Sequence, residues 1–117
     1  MNLQLDLSYL NEISDGDNEF VASILSTFLE ECPKDLAGMR EGLDVGDLAA
    51  VGKLAHKNKS TLQLLGLLEL KQLALDIEQT AKKDVTHPSI APNAERFIGY
   101  MKDVVPQVEK ELSGLDV

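Results

Sequence analysis

Apolar residues recur three and four positions apart through most of this chain, and few of them are aromatic. That spacing lines one side of a helix and suits helix-on-helix packing. With aromatics at 4% against 44% apolar residues overall, the core is built from Leu, Ile, Val and Ala. A sheet protein would draw more on aromatic and β-branched side chains. The 117 residues suit one compact domain spanning 1–117 and leave no room for a second core.

The pattern predicts five helical stretches. Leu5, Leu7, Leu10 and Ile13 mark a short opening helix over about Leu7 to Ile13, ended by Ser14-Asp15-Gly16-Asp17, which also offers a cap for the next. Phe20, Val21, Ile24, Phe28, Cys32, Leu36, Met39 and Leu43 then keep one helical phase from near Asn18. Pro33 falls inside that run, where a kink is expected rather than a stop, and Gly42 is expected to close it. Asp44-Val45-Gly46-Asp47 reads as a turn. A third helix follows over about Asp47 to Leu65, capped by Gly66, and a fourth over about Leu67 to Lys83. Pro88 and Pro92 make Asp84 to Pro92 a loop, and a last helix covers about Asn93 to Leu112, with Pro106 distorting it. The predicted fold is all-α: an antiparallel up-down-up-down four-helix bundle with a short additional N-terminal helix.

Charge narrows the function. A net charge of −9 argues against nucleic acid and anionic membranes as partners. No apolar run reaches the roughly 18 residues of a membrane span, and Met1-Asn2-Leu3-Gln4-Leu5-Asp6 does not read as a secretory signal. A single cysteine, Cys32, forms no internal disulfide and fits a reducing, cytoplasmic setting. The acidic surface and lack of a second apolar face predict a monomer.

The third helix carries the candidate chemistry. With His56 at zero on a helical wheel, Gly52 and Ser60 fall about 40° to either side, and Gln63 and Ala49 about 20°. Lys59 and Lys53 lie roughly 60° away on opposite flanks. Leu54, Leu65, Val51 and Leu62 occupy the far pole, so His56 is expected on the wet face, among small residues. Three of the chain's eleven basic residues, Lys53, Lys57 and Lys59, fall in this stretch. A local positive field suits an anionic phosphoryl group, because neutralisation and positioning dominate phosphoryl-transfer catalysis. Periodicity and charge alone would describe only an exposed histidine on a solvated helix.

The residues around it add specificity. Ala55-His56-Lys57-Asn58-Lys59-Ser60-Thr61-Leu62-Gln63-Leu64-Leu65-Gly66 resembles the signature of the histidine phosphotransfer (HPt) family. That signature is an Ala-His pair, an apolar residue two after the His, Lys three after, a small residue four after and Gly ten after. Phe28-Leu29-Glu30-Glu31-Cys32-Pro33 and Gly46-Asp47 resemble its flanking stretches, so the likeness covers about residues 5 to 83. It implies a phosphorelay role: His56 accepts a phosphoryl group on Nε2 from the aspartate of a receiver domain and passes it to another receiver. Lys59 would steady the phosphoryl charge, Ser60 would admit the partner and bond the phosphate, and Gln63 would orient the ring through Nδ1. Ala49, Lys53, Lys57 and Leu64 would dock the partner, with Gly52 beneath it. Implied partners are response-regulator receivers and a hybrid sensor histidine kinase. Mg²⁺ is expected on the receiver, and no cofactor on this chain. Two residues depart from the pattern. Ser60 stands where Gly is usual, and Asn58 replaces a Leu-like residue while pointing about 160° from His56, toward the core. Unpartnered there, its amide would cost about 1–3 kcal/mol; it finds partners inside the bundle or the helix rolls.

Other candidates are weaker. His87 precedes Pro88 in a loop, and with His56 it lacks metal-ligand spacing. Cys32 reads as a buried structural thiol, Asp44 and Asp47 as turn and cap residues. Gly42, Gly46 and Gly52 make no phosphate loop, since no Gly-Lys-Ser/Thr run follows. The rival to phosphotransfer is a helical adaptor binding a receiver or partner helix without chemistry. An ATP-using kinase would need a nucleotide-binding domain that this length cannot hold.

Overall fold

A computed structural model describes residues 1–116. It is all-helical, with α1 Ser8–Ser14, α2 Asn18–Val45, α3 Leu48–Leu64, α4 Leu68–Lys83 and α5 Ile90–Ser113. The four long helices form a bundle elongated to 46 × 21 × 20 Å. Each packs on its two neighbours, in the ring α2–α3–α4–α5, and α1 lies against α2. The short joints make successive helices antiparallel. Leu10, Leu25, Met39, Leu62, Ile77, Phe97 and Met101 are among the fully buried side chains that fill the centre.

Local chemistry sets the helix ends. The Asp17 carboxylate accepts hydrogen bonds from the amides of Glu19 and Phe20 at 3.0 and 3.2 Å, and Asp47 caps α3 through Ala50 N–H at 3.1 Å, supplying partners to amides that the first turn leaves open. Helix α2 runs unbroken past Pro33 and ends at Gly46, whose φ of 79° only glycine adopts freely. Gly42 does not close the helix as expected. It is buried within α2, where an added Cβ would meet a Val51 methyl carbon at 2.9 Å, so its value is close approach to α3.

One further expectation is corrected, and the opening segment gains a feature the pattern did not show. Pro92 belongs not to the loop but to the first turn of α5, which starts at Ile90. A proline there loses no helical hydrogen bond, since the first-turn amides have no intrahelical acceptor. The opening helix starts at Ser8, and the segment before it is a strap. Asp6 N–H donates to the Leu65 carbonyl at 3.0 Å, and Gln107 donates to the Leu3 carbonyl at 2.7 Å. The alternating Leu3, Leu5 and Leu7 pack partly buried against the core. The strap presses on the α3–α4 turn at Gly66, where φ is 72° and a Cβ would collide with the Asp6 carbonyl oxygen. Gly66 is thus required both for its left-handed backbone and for that contact.

Candidate functional site

Helix α3 is turned from the orientation its leucines suggest. Its buried residues are Val51, Gly52, Ala55, Asn58 and Leu62, and Leu54 and Thr61 are only half-buried. On the wheel the buried arc is displaced by roughly 40° from the aliphatic pole, toward α4. Gly52 permits this. It is buried and in close contact with α4, where a Cβ would lie 2.7 Å from Ala81 Cβ, and it also lines the hollow beside His56.

The turn brings His56 to a carboxylate on the facing helix. The His56 side chain remains 56% exposed, and its Nδ1 hydrogen-bonds to Oε1 of Glu78, whose own side chain is 5% exposed. Lys82 donates to the same oxygen at 3.1 Å, and Lys59 Nζ lies 3.5 Å from Oε2. Oε2 is buried and accepts no hydrogen bond, so that ion pair is its compensation. Burial works against ionisation of Glu78. The hydrogen bonds from His56 and Lys82, with the charges of His56 and Lys59, outweigh it and hold the carboxyl below its usual value of 4.5. An ionised carboxylate can only accept, so in the neutral imidazole the proton sits on Nδ1 and the lone pair is left on Nε2.

Glu78 takes the place expected for Gln63. Gln63 Oε1 instead accepts from Lys71 Nζ at 2.6 Å, because Gln63 faces the C-terminal half of the groove rather than the ring's inner nitrogen. Lys57 also departs from expectation. Its ammonium donates to Asp35 at 2.8 Å and Glu31 at 3.3 Å, so it serves the α2–α3 contact rather than standing free beside His56. Asn58 is buried and finds partners in Asp35 Oδ2 at 3.2 Å and the Leu54 carbonyl at 2.8 Å.

Two hollows flank the imidazole. One, of about 420 Å³, is lined by Ala49, Gly52, Lys53, His56, Glu78 and Lys82, together with Ala81. The other, about 530 Å³, is formed by Lys59, Ser60, Gln63, Leu64 and Lys71 with Tyr9 and Leu75 of the neighbouring helices. Ala49, Lys53 and Ser60 are exposed and Leu64 half-buried, so the face around Nε2 carries little bulk. The arrangement is a nucleophilic nitrogen backed by a carboxylate, ringed by Lys53, Lys59 and Lys82, and open to a large partner.

The remaining candidates stand apart from this chemistry. Cys32 is 1% exposed, and burial, then the negative charge of Asp35, pushes its thiol up to about 11, which makes it a poor nucleophile. His87 Nδ1 accepts from Ser89 N–H at 3.1 Å in the α4–α5 loop. No group of three or more His, Cys, Asp or Glu among the described residues could hold a metal ion.

Comparison with known proteins bears on the same region. The family model described as "Hpt domain" matches residues 23–116. The chain is 24% identical over 109 residues to the sensor protein EvgS of Escherichia coli K12, covering 93% of this chain and 9% of that protein. It is 31% identical over 68 residues to histidine-containing phosphotransfer protein 2 of Arabidopsis thaliana, covering 56% and 44%. It thus spans less than half the length of these curated relatives. The crystal structure of histidine-containing phosphotransfer protein B from Pseudomonas aeruginosa PAO1 superposes with a TM-score of 0.82 over 97% of both chains. At 18% identity that likeness speaks to the fold.

Proposed function

The chain belongs to the Hpt domain family, a histidine phosphotransfer module of phosphorelay signalling and an intermediate rather than a kinase, and from that premise we propose that His56 is its phosphoacceptor. Hpt domains act with receiver domains and sensor kinases; the finer reading is that a receiver phospho-aspartate loads His56 and a second receiver unloads it. The observation that carries this is an exposed imidazole whose Nδ1 is bound by a buried, ionised Glu78.

In the forward step Nε2 attacks phosphorus as the bond to the aspartyl oxygen breaks, and the freed aspartate leaves as a carboxylate. Positive charge grows on the imidazole, and Glu78 is already in place to stabilise the Nδ1 proton that stays on the ring. Lys59 neutralises the phosphoryl oxygens, and Lys82 and Lys53 border the same cleft. Ser60 offers a hydroxyl without obstructing approach. Ala49 and Leu64 supply apolar docking surface. Any Mg²⁺ belongs to the receiver, where it would hold phosphoryl oxygens. The whole chain, 1–117, acts as one such unit and as a monomer. Among the described residues no helix is long and apolar enough to cross a membrane.

The test is to incubate the protein with receiver domains charged on aspartate by acetyl phosphate and measure acid-labile phosphate on this chain. Transfer to wild type and none to His56→Gln is expected. Transfer that survives His56→Gln would refute the assignment, and tight receiver binding without transfer would mark an adaptor.

A further inference from the structure

The reaction as described leaves a second buried polar group unused. Asp35 and Asn58 are 5% and 6% exposed between α2 and α3, on the side of α3 away from Glu78. Asp35 Oδ2 accepts from Asn58 and Oδ1 from Lys57, while Asn58 also bonds the Leu54 carbonyl. The ordinary occupant of an inward helix position is apolar, and a buried carboxylate and amide are an expensive substitute.

Apolar contact fixes the rotation of a helix about its axis only loosely, because burial is non-directional. A roll of α3 would trade exposure among Leu54, Val51 and Ala55, limited in part by the close approaches of Val51 to Gly42 and of Gly52 to Ala81. The imidazole is far more sensitive. It stands about 7 Å from the helix axis, so a 20° roll carries it about 2.5 Å, more than a hydrogen bond to Glu78 tolerates. The Asp35–Asn58 link is directional, and it grips α3 from the α2 side.

We propose that Asp35 and Asn58 are positioning residues for phosphoryl transfer, setting the rotation of α3 that delivers His56 Nδ1 to Glu78. This rests on the reading of His56 as phosphoacceptor. The pair touches no reacting atom and acts through the backbone of α3.

The test replaces both by Leu, Asp35→Leu with Asn58→Leu, which fills the space without leaving either partner alone. Two readouts are taken on the whole protein: the rate of His56 phosphorylation by phosphoramidate across pH, and the His56 tautomer by ¹⁵N NMR. The double variant is expected to fold at least as stably, since an apolar pair replaces a buried polar one. It should nevertheless react about tenfold more slowly and lose its preference for the Nδ1 proton. Asp35→Asn, which keeps an acceptor for Asn58, should restore both readouts to within about twofold, well under the loss a misplaced ring brings. Should the double variant not fold, Asn58→Ala, which breaks the link and leaves Asp35 on Lys57, takes its place with the same expectation. A folded variant with wild-type rate and tautomer would overturn the proposal, as would Asp35→Asn behaving like the double Leu variant. If wild type and His56→Gln take up phosphate alike, the phosphoacceptor reading fails instead, and the tautomer still decides the positioning claim.

Discussion

Replacing Glu78 by Gln isolates charge from shape. The amide keeps an oxygen that can accept from His56 Nδ1, so ring orientation survives, but the negative charge opposite the developing imidazolium is gone. A hydrogen bond to a charged group is worth about 1.5–3 kcal/mol. His56 is 56% and Lys82 70% exposed, and solvent screening puts the loss at the low end of that range or below it. A barrier higher by about 1.4 kcal/mol is a tenfold slower transfer. Stability should move much less. The variant weakens the contacts with His56 and Lys82 and loses the Lys59 ion pair, but it also relieves burial of a carboxylate whose Oε2 accepts no hydrogen bond. The two changes oppose each other, and the net should lie within about 1 kcal/mol, or about 4 °C in melting temperature for a domain of this size. Stopped-flow or quench-flow transfer from a charged receiver, alongside thermal denaturation, measures both. Wild-type transfer rates in a folded Glu78→Gln protein would refute electrostatic support of the ring by this carboxylate.

Glu78 also predicts a pH dependence. Its folded-state carboxyl is held below the ordinary 4.5, so its stabilising contribution is complete above the unfolded value and is lost as pH falls through the folded one. Urea midpoints of wild type and Glu78→Gln should therefore converge below about pH 4.5, and parallel curves there would contradict the ion pairing. Gly52→Ala places a methyl 2.7 Å from Ala81 Cβ. Wedging α3 from α4 should cost about 1 kcal/mol net of the better helix propensity, read by urea denaturation, and should slow transfer by withdrawing Glu78. Lys59→Ala should slow transfer while leaving the circular dichroism spectrum unchanged; normal rates would remove Lys59 from the mechanism. Charge reversal at the exposed Lys53 should weaken receiver binding most at low salt, checked by titration at two ionic strengths.

The helices were legible because their apolar stripes are long and their caps conventional: Asp17, Asp47, Gly46 and Gly66 do what their residue types suggest. Boundaries failed where tertiary contact overrode local pattern. The opening helix falls within one residue of its expected bounds, but the strap before it was not legible, because its course depends on Asp6 pairing with the turn at Leu65. Pro92 read as a loop residue because its tolerance in a first turn depends on where the turn begins. At the candidate site, the placement of His56, Lys59 and Ser60 along one helix could be read from α3 alone. Glu78 could not, since it reaches His56 from another helix, 22 residues on. One trace of it was present. Among Leu70, Leu73, Ala74, Ile77 and Ala81, Glu78 lies about 80° from the middle of the α4 stripe, an acid at the margin of an inward face. Gln63 shares the face of His56 on the wheel, but a wheel carries no information about Lys71 waiting on α4.

With Nδ1 committed to Glu78, the imidazole keeps a single nitrogen for commerce, midway along one flank of a bundle barely 20 Å across. If His56 is the phosphoacceptor proposed above, supplier and recipient of the phosphoryl group must use one berth by turns. A relay through His56 would follow ping-pong kinetics, and a surplus of uncharged recipient would delay reloading by occupying the berth.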